Sequence, residues 1–265
     1  MQTAMKSKHL VSAKKSLGQN FCIDERIPEE VVRRLSAGPQ DQIWEIGPGM
    51  GALTERLQQT GADLQLFEID QRMQPILTQK FPEAQIAWGD FLEIDQDQLP
   101  QVNKPLLVCG NLPYYCGTPI IRRFLEKGPK PERMVFLLQE EVALKAAAGE
   151  NQPDYGFLSV LVAFFAKAWV GSTFPPSSFE PRPKINSTIL VIEPVELTQA
   201  EKSTRLQALK MISVIFSQRR KMALSLLKKR FSDVDWAQRF EMLGIDAKAR
   251  PENISPQTLL KLFSL

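Results

Sequence analysis

Histidine is almost absent from this chain: there is one, His9, among 265 residues. It falls in a polar, lysine-rich start, so the body of the sequence has no imidazole for a nucleophilic triad or a histidine metal site. Cysteine is equally scarce. Cys22, Cys109 and Cys116 are too few for a complete disulfide framework and lack metal-ligand spacing, so no metal is expected. No apolar run approaches the ~20 residues of a membrane-spanning helix, and the start lacks the apolar core of a signal peptide. These shortages point to a soluble protein, most simply cytosolic, whose chemistry rests on amides, carboxylates, aromatics and backbone.

What is present is unevenly placed. The formal net charge is +3, yet residues 1–20 carry four lysines and no acid, residues 21–200 carry 16 bases against 24 acids, and residues 201–265 carry 13 bases against 6 acids. A basic end of net +7 is either an electrostatic footprint for nucleic acid or a solvated helical surface. The order of elements divides at the same place. Strands alternate with helices up to Ile192, and from the capping box Thr198–Glu201 onward only helical patterns follow. The expectation is an α/β domain over residues 1–196, with residues 1–14 a flexible leader, and a small all-helical unit over 197–265.

Along the chain, Ser16–Phe21 (SLGQNF) gives a glycine turn, two amides and an aromatic; alone, Gln19 and Asn20 read as a surface turn. The strand Gln42–Ile46 runs into Gly47-Pro-Gly-Met-Gly51 and then a helical pattern, the order a nucleotide-type loop demands. A second strand ends at Glu68, about 20 residues past the loop, where an acid can grip ribose hydroxyls. A third strand, Ala84–Trp88, leads to Asp90 and Phe91. Asp90 either accepts from the amino group of a cofactor's adenine or caps the turn, and Phe91 can stack nearby.

The next apolar run, Pro105–Cys109, reads as a buried parallel strand and ends in Gly110-Asn-Leu-Pro-Tyr-Tyr115. At a strand's carboxyl end this motif faces the ligand crevice of an open sheet. The Asn111 amide oxygen and the Leu112 carbonyl, aimed by the rigid Pro113, make two acceptors side by side for an exocyclic amino group. Tyr114 offers an aromatic face to the positive charge that develops there on attack. Further on, Phe164, Phe165 and Trp169 read as core. The proline-stiffened segment Phe174–Lys184 carries Phe179, which either presses on a flipped base or plugs the core edge. In the basic end, Arg219, Arg220, Lys221, Lys228, Lys229 and Arg230 are seven to nine residues apart, so some repeat on one helical face.

Taken in order, SLGQNF at 16–21, EIGPGMGALT at 45–54, NLPY at 111–114, PPSSFEPRPK at 175–184 and FSQRRK at 216–221 resemble the small-subunit ribosomal RNA adenine dimethyltransferase family over nearly the whole chain. That resemblance implies a Rossmann-like class I methyltransferase sheet and an S-adenosylmethionine-dependent enzyme. Its product would be N6-dimethylated adenosine at two adjacent positions in the terminal hairpin loop of small-subunit rRNA, within a pre-small subunit. By motif position, Asn20, the Cys22 backbone and Gly47 would contact the methionine part of the cofactor, Glu68 its ribose and Asp90 its adenine. Asn111 and Leu112 would hold the target amino group, with Tyr114 and Phe179 sandwiching the base. Arg219, Arg220, Lys221 and Lys228 would contact RNA, and a monomer suffices. Cys22, Cys116, Gly117 and Glu140 depart from the family's usual residues. The alternatives are a large-subunit rRNA adenine methyltransferase of the antibiotic-resistance type and a non-catalytic ribosome-assembly factor. Ser217–Lys221 and Leu112 favour the first reading.

Overall fold

The computed structural model describes residues 11–113 and 115–264. His9, the first ten residues of the expected leader, and Tyr114 lie outside the described residues. The remaining leader positions are engaged: the Ser12 carbonyl accepts from Arg72 at 3.3 Å and the Lys14 N–H donates to Gln19 at 2.8 Å.

The elements in chain order are β1 (Phe21–Cys22), α1 (Arg26–Leu35), β2 (Gln42–Ile46), α2 (Thr54–Gln58), β3 (Asp63–Glu68), α3 (Gln74–Lys80) and β4 (Gln85–Trp88). Then come β5 (Leu106–Asn111), α4 (Gly117–Glu126), β6 (Arg133–Gln139), α5 (Glu140–Ala147), α6 (Phe157–Phe165), β7 (Ala166–Phe174), β8 (Phe179–Glu180) and β9 (Ser187–Pro194). Four helices close the chain: α7 (Gln199–Phe216), α8 (Ala223–Arg230), α9 (Trp236–Met242) and α10 (Pro256–Ser264).

Seven strands form one sheet in the order β4-β3-β2-β5-β6-β9-β7, parallel from β4 through β6 and antiparallel at β9 and β7. Both faces are covered, and the period-two alternation of the strands shows how. Val108, Met134, Phe136, Leu138 and Leu190 enter the core beneath α4, α6 and the C-terminal helices, while Leu107, Cys109, Val135, Leu137 and Ile189 enter the core beneath α1. Phe164 and Phe165 are buried as expected. Trp169 is not: it is 39 % exposed on β7, the edge strand of the sheet.

The secondary structure changes character where the sequence does. α7 is opened by Thr198, whose Oγ1 accepts from the Glu201 N–H while Glu201 Oε2 accepts from the Thr198 N–H at 2.8 Å. The core, however, runs across residue 197 without a break. Tyr155 is buried against Phe216, with ring centroids 5.8 Å apart, and donates its hydroxyl to the Ile254 carbonyl at 2.9 Å. The six bases do not share one helix. α7 ends at Phe216, residues 217–222 turn, and α8 starts only at Ala223 after an extended Met222. Arg219, Arg220 and Lys221 therefore sit on a turn, and Lys228–Arg230 sit on the next helix.

β2 and β5 are the neighbours at which the order of strands reverses, and their register ends at Glu45↔Cys109. One residue on, a Cβ at Gly110 would stand 2.4 Å from the Ile46 carbonyl oxygen, a backbone atom with little room to yield. Gly110→Ala is therefore expected to lower the unfolding free energy by about 1–3 kcal/mol, measured by urea denaturation, and to spread the two strands at the crevice.

Candidate active site

The carboxyl ends of β2 and β5 open into a cavity of about 470 Å³. Its wall includes nine of the residues singled out in the sequence: Asn20, Cys22, Gly47, Glu68, Asp90, Asn111, Leu112, Pro113 and Phe179. Tyr114, assigned a stacking role above, lies outside the described residues. The glycine loop after β2 turns with Gly47 at φ 73°, a conformation that L side chains rarely adopt. A Cβ there would meet nothing within 4 Å, so the loop presents bare backbone to open space.

Glu68, at the end of β3, is 3 % exposed. Its carboxylate accepts the Gly49 N–H at 2.9 Å and the Asp70 N–H at 2.8 Å. Burial raises its pKa and these N–H groups pull it back. Asp70 in turn accepts from Arg72 and, at 2.9 Å, from Gln19 Nε2; the Arg72 hydrogen bond holds its pKa down to about 2. Gln19 and Asn20 are thus no surface turn. Asn20 offers its carbonyl to Asn111 Nδ2 at 3.0 Å across 91 residues of chain. With one Nδ2 hydrogen given to that carbonyl the amide's orientation is set, and its acceptor Oδ1 takes no hydrogen bond among the described residues. Beside it, the Leu112 N–H donates to Leu137 at 3.1 Å, and among the described residues the Leu112 carbonyl accepts no hydrogen bond.

The segment Phe21–Asp24 is clasped to the proline-stiffened loop. β1 pairs with β8 in antiparallel register, Phe21↔Glu180 and Cys22↔Phe179. Beyond it, the Ile23 N–H donates to the Ser178 carbonyl at 3.0 Å, and Ser178 Oγ donates to Asp24 at 2.8 Å. Phe179 is 1 % exposed among Ile27, Val31 and Ile189 and forms part of the cavity wall.

The departures from the family pattern are accommodated. The Cys22 thiol donates to the Asp24 carbonyl, two residues on, at 3.2 Å, with burial pushing its pKa up to about 11. Cys116 donates both its N–H, at 3.2 Å, and its thiol, at 3.3 Å, to the Pro113 carbonyl. Burial, reinforced by Asp90, pushes that thiol up to about 12, which keeps it protonated and unreactive at neutral pH. Gly117 fits where a Cβ would lie 2.6 Å from Leu138. Glu140 accepts from Asn186 Nδ2 at 3.1 Å and so ties α5 to the loop before β9.

Of the basic residues assigned to RNA, Arg219 is already engaged: its guanidinium donates to the Pro153 and Tyr155 carbonyls at 3.2 and 2.5 Å. Arg220, Lys221 and Lys228 are exposed and, among the described residues, form no ion pair. Two further cavity residues, Tyr115 and Glu45, stand in the motifs quoted above but receive no site role there. Tyr115 is 53 % exposed and lines the wall; the only signal was its place in the motif. Glu45 is 1 % exposed, lines the wall and accepts from Thr54 Oγ1 at 2.7 Å.

Burial pushes Glu45 up to about 8, opposed by the Thr54 hydrogen bond and reinforced by Glu68. The folded state then holds a proton that the unfolded chain, with its ordinary value of 4.5, releases. Stability therefore falls as pH rises between those values, by at most about 1.4 kcal/mol per pH unit for one group. Glu45→Gln is expected to remove this slope, so that urea midpoints of variant and parent converge toward pH 5 and separate in the variant's favour toward pH 8.

Comparison with known proteins agrees with this geometry. Residues 10–265 match the family model described as ribosomal RNA adenine dimethylase. The chain is 35 % identical over 266 residues to the ribosomal RNA small subunit methyltransferase A of Marinobacter nauticus, covering 98 % of this chain and 94 % of that one. It is 33 % identical over 245 residues to the protein of the same name from Clostridium perfringens, covering 91 % and 86 %. Among solved structures, a dimethyladenosine transferase from Plasmodium falciparum superposes with a TM-score of 0.77 at 21 % identity, over 91 % of this chain and 95 % of that one. The 23S rRNA methyltransferase ErmE superposes at 0.71 and 22 % identity, over 92 % and 98 %. At those identities the structures speak for the fold alone, that of class I methyltransferases. The family model spans nearly the whole chain and the curated relatives exceed 30 % identity along it, so the chain belongs to the ribosomal RNA adenine dimethylase family.

Proposed function

We propose that this enzyme transfers methyl groups from S-adenosylmethionine to N6 of two adjacent adenosines in the 3′-terminal hairpin loop of small-subunit rRNA. It would act as a monomer, in the cytoplasm, on a partly assembled subunit. The observation that carries the reading is the pair of acceptors at the end of β5. The Asn111 amide is held by its nitrogen to Asn20, and among the described residues neither its oxygen nor the carbonyl of the next residue, Leu112, accepts a hydrogen bond, both residues lining the cavity. Two acceptors suit an exocyclic amino group with two N–H donors. Accepting both hydrogens favours a pyramidal nitrogen whose lone pair is turned out of the ring and toward the methyl donor. The nitrogen gives up a proton after it has gained the methyl group, and a nitrogen made cationic in this way needs no strong base.

The cavity fits the cofactor. The open backbone at Gly47, with Asn20 and the Cys22 main chain, would take the methionine part; Glu68 would take the ribose hydroxyls and Asp90 the adenine amino group. When bound, S-adenosylmethionine supplies a methyl group activated by its sulfonium charge. The protein supplies orientation and dipoles. Phe179 in the wall would bound one face of the extracted base, and Tyr114 would take the other by its place in the family motif. The helical unit over 197–265 would hold RNA phosphates through Arg220, Lys221 and Lys228, whereas Arg219 anchors that unit to the Tyr155 segment. The curated relatives named for the small subunit favour it over the large one as substrate.

Methyl incorporation from labelled cofactor into unmethylated small subunits, large subunits and naked rRNA, with nucleoside analysis, tests the assignment. Dimethyladenosine in small subunits is the expected product; label confined to large-subunit RNA, or no label at all, rules the reading out. Asn111→Ala is expected to lower kcat by about 10²–10³-fold. Neutralising Arg220, Lys221 and Lys228 together should flatten the salt dependence of RNA binding by about two units of log–log slope, as read by filter binding.

A further inference from the structure

We infer that Arg123, on α4, is a positioning residue for the adenine end of the cofactor site, fixing the loop that carries Asp90 to the helix that follows the target-base motif. The inference rests on the assignment of Asp90 and Asn111 given above. α4 starts at Gly117, directly behind the motif, while the chain leaving β4 passes through Asp90 and Phe91 and forms no helix or strand until residue 96. Arg123 joins the two. Its Nη1 donates to the Leu92 carbonyl at 2.9 Å and its Nη2 to the Ile94 carbonyl. Its guanidinium carbon stands 4.8 Å from the centroid of the Phe91 ring, and that ring stacks on Phe124 of the same helix, 5.4 Å away at 22°. Asp90 closes the arrangement by accepting the Leu92 N–H at 2.9 Å.

Two consecutive residues of α4 therefore hold Phe91, Leu92 and Ile94, and through Leu92 they hold Asp90. Phe91 packs further on Phe67 and Trp44, with centroids 4.9 and 6.5 Å apart, so the floor beneath Asp90 is rigid on its sheet side as well. The guanidinium suits this task because a planar fork can serve two carbonyls and lie on a ring at once; an ammonium cannot. Burial lowers the pKa of Arg123, while Asp90 and Asp95 oppose that shift, which places the cation within the field of both carboxylates. Among the described residues it nonetheless forms no ion pair with Asp90. Its two hydrogen bonds among the described residues go to main-chain carbonyls. Asp90 lines the cavity, and its carboxylate, which accepts only the Leu92 N–H among the described residues, keeps an oxygen for a ligand.

Arg133 on β6 provides a contrast. It too donates to a main-chain carbonyl, that of Arg34 at 3.0 Å, and it pairs with Glu193 at 2.7 Å, but its partners lie outside the cavity wall, whereas Phe91 beneath Arg123 and the neighbouring Asp90 belong to it. A merely structural role for Arg123 would make the two arginines equivalent toward the cofactor.

The test is calorimetric titration of the full chain with S-adenosylhomocysteine, alongside steady-state methylation and thermal melts. Arg123→Ala is expected to weaken binding by about tenfold or more and to raise KM for S-adenosylmethionine while kcat stays within about threefold. Arg133→Ala should lower the melting temperature and leave S-adenosylhomocysteine affinity unchanged. Arg123→Lys, which keeps the charge and can reach one carbonyl, should fall between parent and alanine variant; it carries the test if the alanine variant does not fold. Combined with Asp90→Asn, the loss should be less than additive, because one residue acts through the other. Parental affinity in the lysine variant and in any folded alanine variant, or strict additivity with Asp90→Asn, would overturn the inference. A parent chain that binds no S-adenosylhomocysteine would overturn the assignment of the cavity itself, and the inference with it.

Discussion

The hydrogen bond from Asn111 Nδ2 to the Asn20 carbonyl is the contact on which the geometry of the site depends. An asparagine amide presents a donor end and an acceptor end of similar shape, and a free one would offer either. Tying the nitrogen to a carbonyl settles the matter electrostatically, since two oxygens would not face each other there. The same bond brings the N-terminal segment over the crevice. From that anchor Gln19 reaches Asp70, whose N–H in turn holds the carboxylate of Glu68 in the cavity wall. The N-terminal segment and the ends of β3 and β5 are thereby built on one framework of main-chain and amide contacts.

The site achieves its electrostatics with carboxylates at different degrees of restraint. Asp70 is held ionised by Arg72, Glu68 is steadied by two backbone N–H groups, and Glu45 has only a threonine hydroxyl to offset complete burial. Glu45 and Glu68 in the wall, with Asp70 bonded to Glu68 through its N–H, thus stand together without requiring three full negative charges, which a low-dielectric pocket would tolerate poorly. Among the described residues no imidazole lines the cavity.

Much of this was legible in the sequence. The strands Gln42–Ile46, Asp63–Glu68 and Arg133–Gln139 differ from their apolar runs by a residue or so, because strands buried on both faces leave little ambiguity. The Thr198 cap was legible as well, being a contact between residues three apart. What escaped were features set by distant partners. Gln19 and Asn20 looked like a turn because their partners lie 51 and 91 residues away. Trp169 looked like core because hydrophobicity does not report that its strand is the last of the sheet. The basic stretch looked like one helix, yet residues 217–221 turn and Met222 is extended before α8 begins, and Arg219 looked free because its acceptors are carbonyls of another segment.

The clasp between β1 and β8 has a bearing on biosynthesis. Asp24 meets Ser178 across 154 residues, so the first motif to leave the ribosome must wait for one of the last before its strand has a partner. Contacts at such separation carry a large loop-closure cost and form late. During translation the cofactor cavity therefore stays roofless until the proline-stiffened loop has emerged, and a nascent chain halted in the middle would own most of the sheet and none of the finished pocket. Assembly of the active centre is in this way deferred until the chain is long enough to contain all of its parts.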